Sequence, residues 1–147
     1  MENKKLKNIF INGAITPEQI AGSIQKHQSK TDIGGHSIFL GQVRADQIGT
    51  EEVVGINYTA YQEMAMEKMH EIREAIFAKY PIICMHVYHS LGLVATGEVC
   101  LFVFTSSAHR KAAMDACDEL VERIKAELPV WGKEILTNDA HQWKENK

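Results

Sequence analysis

Residues 99–134 constrain the fold more than any other segment, because they join three recognisable elements. The apolar run from Val99 to Phe104 is typical of a buried strand. A helical pattern over residues 107–127 follows and ends before Pro129. The segment Pro129-Val-Trp-Gly-Lys-Glu134 then makes a tight apolar corner that leads into a short final strand. This order predicts a long helix packed on a sheet.

The remaining patterns predict an α+β fold in a single domain spanning residues 1–147. Strands are expected at residues 9–11, 37–43, 54–60 and 82–89, with helices beginning at Thr16 and covering Gln62–Lys79. Residues 45–52 are predicted to form a mobile loop, and residues 90–97 a glycine-bearing connection. Adjacent strand pairs and two long helices favour mixed or antiparallel sheets over a doubly wound parallel sheet.

Bulk properties exclude several classes of protein. A net charge of −3 and a pI near 6.2 give no field that would gather nucleic acid. The first seven residues lack the apolar core of a signal peptide, and no run approaches the ~20 apolar residues of a membrane span, so we expect no membrane association and a cytoplasmic location. Three cysteines without a CxxC spacing predict reduced core thiols.

An anion site is predicted at the start of the last long helix. His109 and Arg110 follow Ser106 and Ser107, which are expected to cap that helix. A helix N-terminus offers unpaired N–H groups, and arginine adds a planar fork of donors. A His-Arg pair alone is equally well explained as two solvated residues, and it is the preceding strand and serines that favour binding.

Three further cations are candidates for binding an anionic substrate. Arg44 stands at the end of a predicted strand, Lys125 lies on the shoulder of the last long helix, and Lys133 follows the Trp131 corner. Taken alone, Lys125 is better explained as an ordinary surface side chain, and Arg44 and Lys133 are consistent with surface roles. These three cations can bind one substrate only if the fold brings them together.

The spacing of these cations predicts a homodimer. Arg110 and Lys125 are separated by fifteen positions on one helix, which is about 22 Å along its axis. Two side chains that far apart cannot hold one small molecule. A shared pocket would therefore take His109 and Arg110 from one protomer, and Lys125 and Lys133 from its partner.

No metal site and no cofactor are predicted. Cys84, His86 and His89 are close enough in sequence to suggest a metal site. In a strand, however, Cys84 and His86 share one face while His89 points to the other. We therefore interpret them as ordinary strand residues.

Several of these segments together resemble the large, catalytic subunit of molybdopterin synthase, the MoaE family. The matching pieces, which occur in order over most of the chain, are Phe39-Leu-Gly-Gln-Val-Arg44, Tyr58-Thr-Ala-Tyr-Gln-Glu-Met-Ala65, Leu91-Gly-Leu-Val-Ala-Thr-Gly-Glu98, Ser107-Ala-His-Arg110 and Lys125-Ala-Glu-Leu-Pro-Val-Trp131. The resemblance implies an α/β-hammerhead fold. It also implies a homodimer that binds two copies of a small ubiquitin-like sulfur carrier in a heterotetramer.

The resemblance further implies a reaction and roles for individual residues. The carrier's C-terminal Gly-Gly thiocarboxylate would deliver sulfur to cyclic pyranopterin monophosphate, in two transfers, to form the dithiolene of molybdopterin. Lys125 would be the central catalytic lysine, and Arg44, His109 and Arg110 would bind the pterin phosphate. The complete candidate site consists of catalytic Lys125 and Lys133 together with substrate-binding Gln42, Val43, Arg44, His109, Arg110, Gly132, Lys133 and Glu134.

One position departs from the family pattern, which has a lysine directly after the tryptophan of Pro-x-Trp. Here that residue is Gly132, so either Lys133 is the same lysine displaced by a one-residue insertion, or the lysine is missing. Lys147 follows Trp143 by four positions, where the family often has a basic residue. Two alternatives therefore stay open: a non-catalytic carrier-binding scaffold of the same fold, and an unrelated phosphate-ligand enzyme that uses only the His109-Arg110 anion site.

Overall fold

The structure is a computed structural model and describes residues 6–145. Residues 1–5, on which the prediction of no signal peptide mostly depends, lie outside the described residues, and so does Lys147. The elements are β1 (Phe10–Asn12), α1 (Pro17–His27), β2 (Gly35–Gln42), β3 (Gln47–Ile48), β4 (Glu51–Ala60), α2 (Gln62–Lys79), β5 (Ile82–Ala95), β6 (Val99–Ser107), α3 (Arg110–Glu127), β7 (Val130–Leu136) and β8 (His141–Trp143). No helix within residues 6–145 is long and apolar enough to cross a membrane.

The strands join into one sheet with the order β2-β6-β5-β4-β7-β8. β1 pairs with β5 in parallel, β3 forms a hairpin with β4, and the other described pairings are antiparallel. The prediction of an α+β fold with mixed pairing and two long helices is confirmed.

Helices cover both faces of this sheet. α1 packs on one face of β5 and β6, over Phe102 and Phe104. α2 and α3 pack on the opposite face and form the larger core with β4, β5 and β6. The buried faces of the two long helices carry Ala65, Met69, Ile72 and Ile76 on α2, and Ala113, Cys117, Leu120 and Ile124 on α3. Because helices cover both faces of the sheet, β6 is buried almost throughout.

The start of α1 follows the local sequence rules. The Thr16 hydroxyl accepts from the Gln19 backbone N–H at 3.2 Å, and the Gln19 side chain accepts from the Thr16 N–H at 2.8 Å. Pro17 occupies the first helical position, where its missing N–H costs nothing. Together these two hydrogen bonds form a capping box, which confirms the predicted start of the helix at Thr16.

Two predicted connections contain strand instead. β5 continues beyond His89 to Ala95, through Gly92 at φ +79°, because β1 and β4 both supply hydrogen-bond partners to this part of the strand. The predicted loop over residues 45–52 holds the short β3–β4 hairpin, with Gly49 at φ +63° in its turn. In both places glycine bends the chain within a sheet, where the sequence pattern indicated a break.

The start of α3 differs from the predicted serine cap. Ser106 and Ser107 belong to β6, where they pair with β2 and β5, and the N-cap residue is His109, which makes no side-chain cap hydrogen bond. The Ser107 hydroxyl instead accepts from the backbone N–H of Ala113 at 3.0 Å. A serine therefore does satisfy an amide of the helix, but from the neighbouring strand.

Candidate active site

A cavity of about 520 Å³ opens where the carboxyl end of α3 meets strands β2, β4, β5, β6, β7 and β8. The end of β2, the middle of β4, the carboxyl end of α3 and the β7–β8 hairpin contribute lining residues to the cavity. Six of the predicted site residues line this cavity: Gln42, Val43, Arg44, Lys125, Gly132 and Glu134. The fold therefore joins segments that are separated by more than 80 positions in the sequence.

Three cationic side chains border the cavity: Arg44, Lys125 and Lys144. The Arg44 guanidinium lies 3.2 Å from the Asp46 carboxylate, and 74% of its side chain is exposed. An exposed ion pair of this kind contributes little stability, so Arg44 can exchange Asp46 for a substrate anion at low cost. Lys144 was not singled out by the sequence, because only the β7–β8 pairing brings it here.

The inner wall of the cavity carries a buried phenol and a buried carboxylate. Burial, assisted by Cys100 and Glu134, raises the pKa of Tyr58. The phenol is therefore neutral at physiological pH and remains a hydrogen-bond donor. Glu134 is 6% exposed and accepts a hydrogen bond from the Gln142 amide at 2.9 Å.

His89 occupies the floor of the same cavity, away from Cys84 and His86. Its Nδ1 donates to the Ser90 carbonyl at 2.8 Å, and its ring lies 5.2 Å from that of Tyr58. Burial lowers the pKa of His89, and the positive charge of Lys125 lowers it further. A neutral imidazole with a fixed tautomer therefore stands beside Lys125.

Lys133 does not line the cavity, although Trp131 and Trp143 on its face of the β7–β8 hairpin do. Its Nζ lies 5.4 Å from the centre of the Trp143 ring, and Trp143 is its cross-strand partner. Lys144 follows Trp143, and its backbone N–H donates to the Gly132 carbonyl at 2.9 Å. Because side chains alternate along a strand, Lys144 shares the face of Gly132 and Glu134, and Lys133 does not.

Gly132 is enclosed by side chains of the core. A Cβ at this position would lie 2.8 Å from Ile56 Cγ2 and 3.1 Å from the Tyr58 ring. The pairing of β7 with β4 runs without a register shift from Ala60 to Gly55, so no inserted residue bulges at this point. Gly132 therefore occupies a regular strand position at which any side chain would have to displace its neighbours.

His109 and Arg110 lie at the opposite end of α3. They line a separate open depression with Gly34 and Lys111, and neither borders the main cavity. The structure agrees with the distance argument: one chain does not bring Arg110 and Lys125 to one ligand. The three cysteines are buried and unpaired, as predicted.

Comparison with known proteins identifies the family. The MoaE protein family profile matches residues 14–127. The chain belongs to the MoaE family. It is 36% identical over 117 residues to the molybdopterin synthase catalytic subunit of Pyrococcus abyssi, covering 80% of this chain and 78% of that relative. It is also 36% identical over 114 residues to the catalytic subunit of Homo sapiens, covering 78% of this chain and 60% of the relative.

Solved MoaE-type structures share this fold. Molybdopterin synthase from Staphylococcus aureus superposes with a TM-score of 0.81 at 28% identity, covering 96% of this chain and 99% of that one. A chain from the complex of subunits 1 and 2 of the Helicobacter pylori molybdopterin-converting factor gives 0.78 at 18% identity, covering 94% and 90%, which shows the fold alone. The family and fold predicted from sequence are confirmed, and the relatives' shared name agrees with the predicted enzyme class.

The region of Gly132 and Lys144 lies beyond the matched part of the family profile, which ends at residue 127. The chain spans 56% of the Rattus norvegicus relative and 32% of the Drosophila grimshawi relative.

Proposed function

We propose that this chain is the catalytic subunit of a molybdopterin synthase. It would accept the C-terminal thiocarboxylate of a small ubiquitin-like carrier and transfer its sulfur to cyclic pyranopterin monophosphate. Each transfer exchanges one oxygen for one sulfur, so the carrier returns as a carboxylate and no electrons are exchanged with an outside donor. The observation that carries the proposal is the cavity in which Arg44, Lys125 and Lys144 converge beside neutral His89.

The polar groups of the cavity suit this chemistry. Lysine ammonium groups polarise the thiocarboxylate carbonyl and stabilise negative charge as the cyclic phosphate opens. The Arg44 fork matches a phosphate or a carboxylate. No nucleophilic cysteine is needed because the carrier brings the sulfur, which agrees with three buried thiols.

The second lysine of the site is proposed to be Lys144. Lys133 was the prediction from sequence, but Lys144 lines the cavity and Lys133 does not; the Lys133 Nζ lies over the Trp143 ring instead. Lys144 lies on the face of β8 next to Gly132, the position at which the family pattern has its lysine. The Lys144 side chain, which directly follows β8, would then provide the positive charge that Gly132 on β7 lacks.

The proposed assembly is a homodimer of this chain with one carrier bound to each protomer. His109 and Arg110 of one protomer would complete the pocket of the other, since α3 holds them too far from Lys125 within one chain. β2 is an edge strand with Ile38 and Leu40 partly exposed, which gives a surface for such a contact. The Helicobacter pylori relative forms a complex of two subunits, which supports a carrier partner. We place the reaction in the cytoplasm, and cell fractionation tests that location.

A second candidate function is favoured by Gly132. A chain that lacks the family's lysine is also consistent with a scaffold that binds the carrier without turnover. The two candidates differ in what a lysine variant does: it lowers product formation by an enzyme, but it leaves the carrier affinity of a scaffold unchanged.

The test mixes the full chain with thiocarboxylated carrier and cyclic pyranopterin monophosphate and measures dithiolene-containing molybdopterin. We expect product only when both partners are present. Lys125→Ala and Lys144→Ala should each abolish most of the turnover, while Lys133→Ala should retain most of it.

Each outcome assigns a function. Loss of turnover in Lys133→Ala with full activity in Lys144→Ala would restore Lys133 as the second lysine. Tight carrier binding without product would favour the scaffold. Absence of both binding and product would contradict a role in this pathway and leave only the anion site at His109 and Arg110.

A further inference from the structure

A cluster of two histidines and a cysteine lies on the opposite side of the sheet from the cavity. His27 is the last residue of α1, and Cys84 and His86 share one face of β5. Their ligand atoms all lie within 4.8 Å of one another, and the two Nε2 atoms are 2.8 Å apart. His89 points to the other face of the strand, whereas the tertiary structure brings His27 to this face.

The ring of His27 is oriented as a ligand. Its Nδ1 lies 2.6 Å from the Ser23 carbonyl, to which it can only donate. That hydrogen bond places the proton on Nδ1 and leaves the Nε2 lone pair directed at the cluster. A carbonyl that fixes the imidazole tautomer in this way is the usual support of a metal-bound histidine.

We infer that His27, Cys84 and His86 form a binding site for a borderline-soft divalent transition metal, with Zn²⁺ the best match. Two imidazole nitrogens and a thiolate are a ligand set that Zn²⁺ prefers. Three protein ligands leave the fourth tetrahedral position for water. The site lies on the α1 face of the sheet and does not depend on the sulfur-transfer proposal.

Movements of up to about 1 Å convert the cluster into a coordination site, because tetrahedral zinc holds sulfur about 3.6 Å from each nitrogen while the present ligand atoms lie up to 4.8 Å apart. Zinc–nitrogen bonds of 2.0–2.1 Å in a tetrahedron separate the two nitrogens by about 3.3 Å, so the rings must part by roughly 0.5 Å from their present 2.8 Å. The ring proton of His86 moves from Nε2 to Nδ1, and the thiol proton leaves to solvent. Cys84 and His27 are 5% and 7% exposed, so the bound ion would be largely shielded.

Two lysines must withdraw when the metal binds. Lys30 Nζ lies 3.0 Å from Cys84 Sγ, and Lys7 Nζ lies 3.1 Å from His86 Nδ1. Both are long side chains whose ammonium groups can return to water. Without a metal they satisfy the sulfur and the ring nitrogen, which explains how the cluster stays stable when empty. Their repulsion also predicts that Lys30→Ala strengthens metal binding.

The test uses the full chain without an affinity tag, stripped of metal under reducing conditions and titrated with Co²⁺ as a spectroscopic probe. We expect one Co²⁺ per chain, with the intense visible bands of tetrahedral coordination and a thiolate-to-cobalt charge-transfer band. Zn²⁺ should displace the Co²⁺. Cys84→Ser should remove the charge-transfer band, and His27→Gln should weaken Zn²⁺ binding at least as much as the roughly 10- to 100-fold typical of losing only an outer-shell support.

Matched controls separate the cluster from other thiols and histidines. Cys117→Ser changes another buried cysteine on α3, and His70→Gln changes a histidine on α2; both should bind as the wild type does. Circular dichroism without metal checks that each variant folds, and Cys84→Ala replaces Cys84→Ser if the hydroxyl disrupts the core. Absence of stoichiometric Co²⁺ binding by the wild type would overturn the assignment. An undiminished charge-transfer band in the folded Cys84 variant would do the same.

Discussion

Substituting alanine for Gly132 tests the most tightly packed point of the candidate active site. The new Cβ would lie 2.8 Å from Ile56 Cγ2, and an ordinary carbon contact needs a separation larger by at least about 0.7 Å. The Tyr58 ring lies 3.1 Å from the new Cβ on the other side, so both neighbours would have to shift to admit it. Overpacking of this kind costs about 1–3 kcal/mol.

The expected result is a loss of stability in Gly132→Ala. For a chain of this length the free-energy change corresponds to a fall in Tm of about 2–12 °C. Urea and thermal unfolding, at one fixed protein concentration because of the proposed dimer, measure it. Gly22→Ala is the matched control: Gly22 lies inside α1 with nothing within 4 Å, so the same change should stabilise the protein by about 0.5–1 kcal/mol.

A double-mutant cycle identifies the contact responsible. Ile56→Ala removes the methyl group that the new Cβ would meet, so adding Gly132→Ala in that background should cost less than it does in the wild type. The reasoning is refuted if Gly132→Ala is as harmless as Gly22→Ala. It is also refuted if the cost of Gly132→Ala is the same in the Ile56→Ala background.

Three other predictions concern Thr16 at the start of α1, His89 on the floor of the cavity, and the proposed phosphate-binding role of Arg44. Thr16→Ala should lower the free energy of unfolding by about 1 kcal/mol in urea denaturation, because the Gln19 backbone N–H loses its side-chain acceptor and keeps only the Thr16 carbonyl; an unchanged midpoint would contradict the capping role. His89 stays neutral when folded, so the unfolded state takes up the proton first and stability should fall as pH drops below the free value of 6.5. Lys125→Gln should also raise the pKa of His89 in an NMR titration, because the positive charge beside the ring is removed. Tyr58 stays neutral and adds no charge beside His89. An unmoved pKa of His89 would show that the Lys125 ammonium does not face the ring. Arg44→Ala should weaken binding of cyclic pyranopterin monophosphate by about 10- to 100-fold in calorimetry and leave the Tm nearly unchanged; unchanged affinity would remove Arg44 from the site.

Local rules were sufficient wherever neighbouring residues decide the structure. The Thr16 capping box begins α1, and the apolar spacing on Gln62–Lys79 gives the bounds and the buried face of α2. These features depend on contacts within four residues, and such contacts are visible in the sequence. The distance between Arg110 and Lys125 was predictable for the same reason, since a helix has a fixed rise per residue.

Pairing between distant strands could not be derived in the same way. Gly92 indicated a turn, yet β1 and β4 hold it inside a 14-residue strand. β8 was not predicted, since three residues carry little periodicity of their own. Its pairing with β7 decides that Lys144 faces the cavity and that Lys133 stacks on Trp143.

By itself, the sequence determined the α+β class, the helices with their buried faces, and the family resemblance, because each of these depends on local spacing or on segments compared one at a time. Only the tertiary structure decided which cations share the cavity, why Gly132 has no side chain, and that His27 meets Cys84 and His86. The physical reason is that a strand presents its side chains alternately to two faces. Which residues meet on a face is therefore decided by register and by the helix that packs there, and neither is written in the local pattern.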